Sequence, residues 1–133
     1  MRSNLLKKHA KSFYWASFFL SRKTFDKCSS LYNFCRTLDD IVDSDSKLEI
    51  KKENFLRFKK NFMNKDLNNQ IINEMWLIIN SEKISEKIVI DLFDGIETDL
   101  KEKVKINSKK ELLIYSYRVA GTVGLMMSKI LKV

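Results

Sequence analysis

The stretch "FCRTLDDIVDS", residues 34–44, places Arg36, Asp39, Asp40 and Asp43 in what otherwise reads as the inner face of a helix. At about 100° per residue, Asp39 falls in the arc occupied by Phe25, Cys28, Tyr32 and Cys35, with Arg36 and Asp43 flanking it and Asp40 on the shoulder. An ionised carboxylate is costly to bury unless a partner compensates it. The helix dipole adds to the cost, because these acids fall in the last turn. Two accounts fit. An internal pair from Arg36 to Asp39 or Asp40 accommodates one aspartate. Two carboxylates one turn apart, Asp39 and Asp43, suit a hard dication such as Mg²⁺, which takes one or two carboxylates and fills its octahedron with water and phosphate oxygens. Spacing leaves both open.

The elements that must position these residues read as helices. The chain of 133 residues has no proline and three glycines, and no strand-length alternation stands out, so an all-α single domain is expected. Helices are predicted over Asn4–Leu20 and over Phe25–Asp43, with Thr24 as N-cap. A third carries Leu48, Phe55, Phe58 and Phe62, a fourth "QIINEMWLII", a fifth "ISEKIVIDLFDGIETDLKEKV", and a sixth runs from Glu111. This last helix is apolar on nearly all sides, the pattern of a helix surrounded by others. On it Tyr115, Val119, Thr122, Val123 and Met126 share a face. Gly121 and Gly124 interrupt it at up to about 1 kcal/mol each against alanine. Close helix packing accounts for them, and so does a groove in which a long apolar chain lies on exposed backbone. The helix runs to Val133 without a capping signal or polar tail, so the chain is expected to be the N-terminal part of a longer protein.

The net charge is +8, from 25 basic and 17 acidic residues. That balance suits anionic partners, but the lysines are scattered and no dense arginine patch is present, so nucleic acid is not expected. Cys28 and Cys35 are about 10 Å apart along one helix, too far for a disulfide, and read as small buried hydrophobes of a reducing compartment. His9 is the sole histidine, which excludes a zinc constellation. "FYWASFFL" is too short to cross a bilayer, and no secretory pattern surrounds it. A cytoplasmic location is expected, with peripheral association at the inner membrane surface suited to the basic charge.

Four segments, "HAKSFYWASFFL", "LYNFCRTLDDIVDS", "DLFDGIETDL" and "YSYRVAGTVGLMM", resemble in order and spacing the N-terminal portion of the squalene/phytoene synthase family. The resemblance implies an isoprenoid synthase-type helical bundle, of which residues 1–133 form the N-terminal half. It also implies a Mg²⁺-dependent prenyltransferase that condenses two prenyl diphosphates head-to-head through a cyclopropyl diphosphate. "YRVAGTVGLMM" most resembles the phytoene synthase branch, which uses two geranylgeranyl diphosphates. Squalene or dehydrosqualene synthase using farnesyl diphosphate, and a non-catalytic relative serving as an assembly factor, are the alternatives; the intact Asp39 and Asp43 argue against the last. Carried over by position, Asp39 and Asp43 bind Mg²⁺, Asp40 supports them, and Arg36 contacts diphosphate. Ser12 lies near a diphosphate, and His9, Phe13 and Tyr32 lie at the mouth and wall, a structural role for His9 and Tyr32 remaining open. Tyr115, Val119, Ala120, Val123 and Gly124 match the prenyl-binding helix, with Tyr115 also among the catalytic set. Ser17 replaces an aromatic often found in the family, which bears on pocket depth. The second aspartate motif is expected beyond Val133, so this chain alone is expected to be inactive.

Overall fold

The computed structural model describes residues 20–100 and 108–133. The expected helix over Asn4–Leu20, with candidates His9, Ser12 and Phe13, lies outside the described residues except for Leu20, which forms a bend. Ser21 starts the first described helix, α1 (Arg22–Val42): its hydroxyl accepts the Thr24 amide proton at 3.2 Å, satisfying one of the donors a helix start leaves open. Thr24, the expected cap, is therefore inside the first turn. α2 (Leu48–Met63) follows, then α3 (Gln70–Ser81), capped by Asn69, and α4 (Glu86–Asp99). The last predicted helix begins earlier than expected and is divided. Ser108 caps α5 (Lys109–Ser116), a π-helical segment spans Tyr117–Gly121, and α6 spans Thr122–Leu131. No strand occurs among the described residues, as an all-α chain requires.

Among the described residues no helix C-terminus is closed by glycine. Lys65, Lys83 and Lys132 adopt φ of 55°, 53° and 59°, the left-handed conformation that closes a helix C-terminus. Their amides or the next ones turn back onto the preceding turn, as Lys65 N–H does onto Phe62 O at 3.0 Å and Ile84 N–H onto Ile79 O at 3.0 Å. A side chain in this conformation costs about 1–2 kcal/mol, partly offset by placing a cation at the negative helix end.

The core is aromatic. Phe34 of α1 meets Phe58 and Phe62 of α2 at 5.9 and 5.3 Å and Phe93 of α4 edge-on at 5.9 Å. Phe62 stacks on Trp76 of α3 at 4.7 Å, and the buried indole N–H is satisfied by Phe62 O at 2.9 Å. Each such ring contributes about 1.5–3 kcal/mol by burial and pair geometry adds about 0.5–1.5 kcal/mol. α1 packs on α2, α3, α4 and α6, and the π segment on α4.

The final helical stretch is not enclosed as its sequence suggested. Thr122, Met126 and Ile130 are buried, but Leu113, Ile114, Tyr117, Leu125 and Leu131 are exposed. Its inward stripe is narrow because it rests on α4 and α1 along one side.

Candidate functional site

Of the four charged residues in the opening stretch, Asp39 alone is buried, at 6% exposure; Arg36, Asp40 and Asp43 are exposed. The apolar stripe of α1 is Cys28, Leu31, Phe34 and Leu38. At about 100° per residue its centre lies between Leu31 and Leu38, so Asp39 is about 85° off centre, Asp43 about 125° and Arg36 about 145°. The expectation that Arg36 and Asp43 point inward is thus corrected. It centred the stripe on Phe25, Tyr32 and Cys35, which are only partly buried. Arg36 Nε reaches Asp40 Oδ2 at 4.0 Å on the surface, not Asp39. Such an exposed pair contributes little.

Asp39 makes its charge felt inward. The Cys35 thiol, one turn earlier, is pushed up to about 12 by burial and by the Asp39 charge. Cys28 is pushed up by burial, and its Sγ lies 3.6 Å from Met127 Sδ of α6. Both cysteines are free thiols, as their spacing requires.

The contacts fix the register between α1 and α6. Lys27 of α1 donates to Glu82 at the end of α3, and Lys23 and Lys132 add their charge there, so that the Glu82 carboxyl is held below its ordinary range, chiefly by the Lys27 hydrogen bond. The start of α1 therefore meets the end of α6, and the two run antiparallel through the Cys28–Met127 contact. Eight residues of helix, about 12 Å, separate Met127 from Val119 and likewise Cys28 from Arg36. Counted along both helices, this register brings the stretch before Met127 back toward the Cys35–Arg36 turn of α1, while the π segment itself packs on α4. Val123 packs against the core, Val119 and Tyr32 are partly buried, and Ala120 and Gly124 are exposed.

Sequence reasoning assigned no site residue to α4, although the segment "DLFDGIETDL" carries part of the resemblance; α4 nonetheless seats the π segment. Tyr117 donates its hydroxyl proton to Asp91 Oδ2 at 3.0 Å, and Asp91 also pairs with Lys87 at 3.3 Å. A Cβ on Gly95 would stand 2.7 Å from Arg118 Cβ and 2.9 Å from Val119 Cγ1. The signal was a lone glycine inside an otherwise helical pattern, one turn after an aspartate.

Two hollows lie elsewhere. One of about 210 Å³ between α2 and α4 is lined by Phe55, Leu56 and Leu100 with Lys52 and Glu97. Another of about 270 Å³ between α1 and α3 is lined by Ser30, Glu74, Leu77 and neighbours. Neither is lined by the acidic turn. Among the described residues no group of three or more His, Cys, Asp or Glu is gathered to hold a metal ion. The carboxylates of Asp39 and Asp43 lie one turn apart, Asp43 N–H bonding Asp39 O at 2.8 Å. Two hard oxygen donors fit an ion that takes its remaining ligands from water and phosphate; they do not fit one needing a full protein cage. No helix among the described residues is long and apolar enough to cross a membrane.

Comparison with known proteins agrees with this arrangement. The bifunctional lycopene cyclase/phytoene synthase of Leptosphaeria maculans is 33% identical over 91% of this chain and 24% of its own length. The chloroplastic phytoene synthase of Daucus carota is 30% identical over 89% of this chain and 30% of its own. The crystal structure of a dehydrosqualene synthase in complex with ligand superposes with a TM-score of 0.66 at 25% identity, covering 96% of this chain and 45% of that chain. The chain thus spans under a third of these two curated relatives and under half of the solved one. The family model for squalene/phytoene synthase matches residues 6–133. A match that takes in both the acidic turn of α1 and the π segment shows that the chain belongs to the squalene/phytoene synthase family.

Proposed function

We propose that this chain supplies the first acidic helix and one prenyl-contacting wall of a head-to-head prenyltransferase of the phytoene synthase type, which joins two geranylgeranyl diphosphates through a cyclopropyl diphosphate. The observation that carries the reading is Asp39, a buried carboxylate near the end of a helix whose other buried residues are apolar. A carboxylate is kept in so costly a place where its charge has work to do. Asp39 and Asp43 are the residues to hold Mg²⁺, and a bound Mg²⁺ supplies positive charge against the diphosphate as it leaves. Arg36, exposed on the surface, offers a planar fork of donors to diphosphate oxygens. Asp40, which pairs with Arg36, orients that fork. Tyr32 offers an aromatic ring suited to stabilising carbocations, Tyr115 is assigned the same role by its residue type, and Val119, Ala120, Val123 and Gly124 receive the prenyl chain. His9, Ser12 and Phe13 are assigned to substrate binding by the family resemblance alone. The surplus of basic residues favours peripheral binding to an anionic membrane surface, from which so oily a substrate is drawn.

The farnesyl-length reading, a dehydrosqualene or squalene synthase, is favoured by one observation, the superposition on a dehydrosqualene synthase. Because the chain spans under half of that relative, we assign the second acidic helix to sequence outside these residues and expect the chain alone to be inactive. The test is a protein in which this chain is joined to the remaining half of a phytoene synthase, assayed with Mg²⁺ and either farnesyl or geranylgeranyl diphosphate. A C40 hydrocarbon is the expected product, and Asp39→Asn and Asp43→Asn are each expected to reduce turnover at least about 100-fold. Full turnover by either variant refutes the assignment.

A further inference from the structure

The Tyr117–Gly121 segment is the one stretch of the described residues with π-helical geometry, a form that occurs mostly as single turns at functional sites. It costs hydrogen-bond quality and persists where its surroundings over-determine it. Three contacts do so here. The Thr122 amide, which in an α-helix would bond Arg118 O, is diverted to Tyr117 O. The Thr122 hydroxyl takes its place, donating to Arg118 O at 2.9 Å, and Thr122 is fully buried. Thr37, Thr98 and Ser128 also donate to the carbonyl four residues back; Thr122 differs in that its own amide has been drawn away. Tyr117 is tied to Asp91 at 3.0 Å. Gly95 admits the backbone of Arg118, whose carbonyl carbon lies 3.1 Å from where a Cβ would stand.

One extra residue in a helix rotates everything before it by about 100° relative to everything after it. The π turn therefore sets the angle between α5, which carries Tyr115, and α6, which carries Val123 and Gly124. In an uninterrupted helix Tyr115 and Met126 would share a face; across the π turn they are offset. We propose that Thr122, Tyr117, Asp91 and Gly95 are positioning residues that lock this offset, and so decide which face of the Tyr115 turn is presented beside Val119 and Val123 to a prenyl chain. The part concerning substrate rests on the prenyltransferase reading; the lock itself does not.

The experiment has two arms. In the 133-residue chain, amide hydrogen exchange across 118–122 and the ¹⁹F signals of fluorotyrosine-labelled protein are compared among wild type, Thr122→Val, Tyr117→Phe, the double variant and Thr122→Ser. Loss of one hydrogen bond corresponds to about a fivefold fall in protection and the double loss to more than about tenfold, together with a displaced Tyr115 signal. Thr122→Ser, which keeps the hydroxyl, restores both. Unchanged protection, or loss that Thr122→Ser fails to restore, overturns the lock. In the joined protein described above, the ratio of kcat/KM for geranylgeranyl over farnesyl diphosphate is expected to move at least about threefold in the double variant, a specificity change on the scale of part of a pocket contact. A lost lock with an unmoved ratio overturns the positioning role. A joined protein that turns over neither diphosphate refutes the prenyltransferase reading, and the substrate part with it, while the exchange arm still decides the lock.

Discussion

The glycines offer a test in which identical chemistry should give opposite signs. Replacing a helical glycine by alanine stabilises a helix by about 1 kcal/mol when the new methyl has room. Neither Gly95 nor Gly124 has positive φ, so backbone conformation favours alanine at both. At Gly124 the added Cβ meets nothing within 4 Å, and the full gain of about 1 kcal/mol should appear. At Gly95 it meets Arg118 Cβ at 2.7 Å, Val119 Cγ1 at 2.9 Å and the Arg118 carbonyl carbon at 3.1 Å. Two of those atoms belong to the start of a side chain or the backbone, which cannot swing aside. Overpacking of this kind costs about 2–3 kcal/mol, which leaves Gly95→Ala about 1–2 kcal/mol less stable after the helical gain. For a chain of this size each kcal/mol corresponds to about 3–5 °C in Tm. Thermal melts followed by circular dichroism should therefore place Gly124→Ala about 3–5 °C above wild type and Gly95→Ala about 3–10 °C below it. Equal shifts in one direction would refute the close approach of α4 to the π segment.

Two further outcomes follow from helix ends. Glu82 is held below the usual carboxylate range chiefly by Lys27; a depressed carboxyl contributes stability above its unfolded value of about 4.5 that is lost as pH falls through the folded value. Urea melts from pH 6 down to pH 3 should show wild type losing stability that Glu82→Gln, already lacking it, does not lose. Lys83 is exposed and adopts φ 53°, so Lys83→Gly should raise stability by about 1 kcal/mol in the same assay at neutral pH; a loss would show that the ammonium at the end of α3 outweighs the backbone strain.

Legibility differed from element to element. The recurrence of Phe55, Phe58 and Phe62 made α2 legible as a helix, because those three rings form its buried face, while Ile50, Leu56 and Met63 on the same helix are exposed. α1 was legible as a helix but its inner face was misjudged: partly buried Phe25, Tyr32 and Cys35 compete with Leu31, Phe34 and Leu38, and only tertiary contact with Phe93 and Phe62 decides between them. Asp39 was legible as an inward carboxylate, whereas the outward turn of Arg36 and Asp43 was not, since it depends on that same rotation. The π segment left no local signal. Its hydrogen bonds are chosen by Asp91 and Gly95, more than twenty residues earlier in the chain, and periodicity read along one helix contains nothing of them. Thr24 read as the cap from its type and place before the apolar pattern, but Ser21 has the same chemistry and its hydroxyl is the one that reaches the third amide.

The ring of Phe34 is gripped by rings from two other helices, five residues before Asp39. A rod clamped so near its tip ties Asp39 to the packing around that ring, whereas Arg36, Asp40 and Asp43 stand exposed. Those three positions can be exchanged at little cost to folding. Asp39 has no such independence, because whatever replaces it must fit the interior.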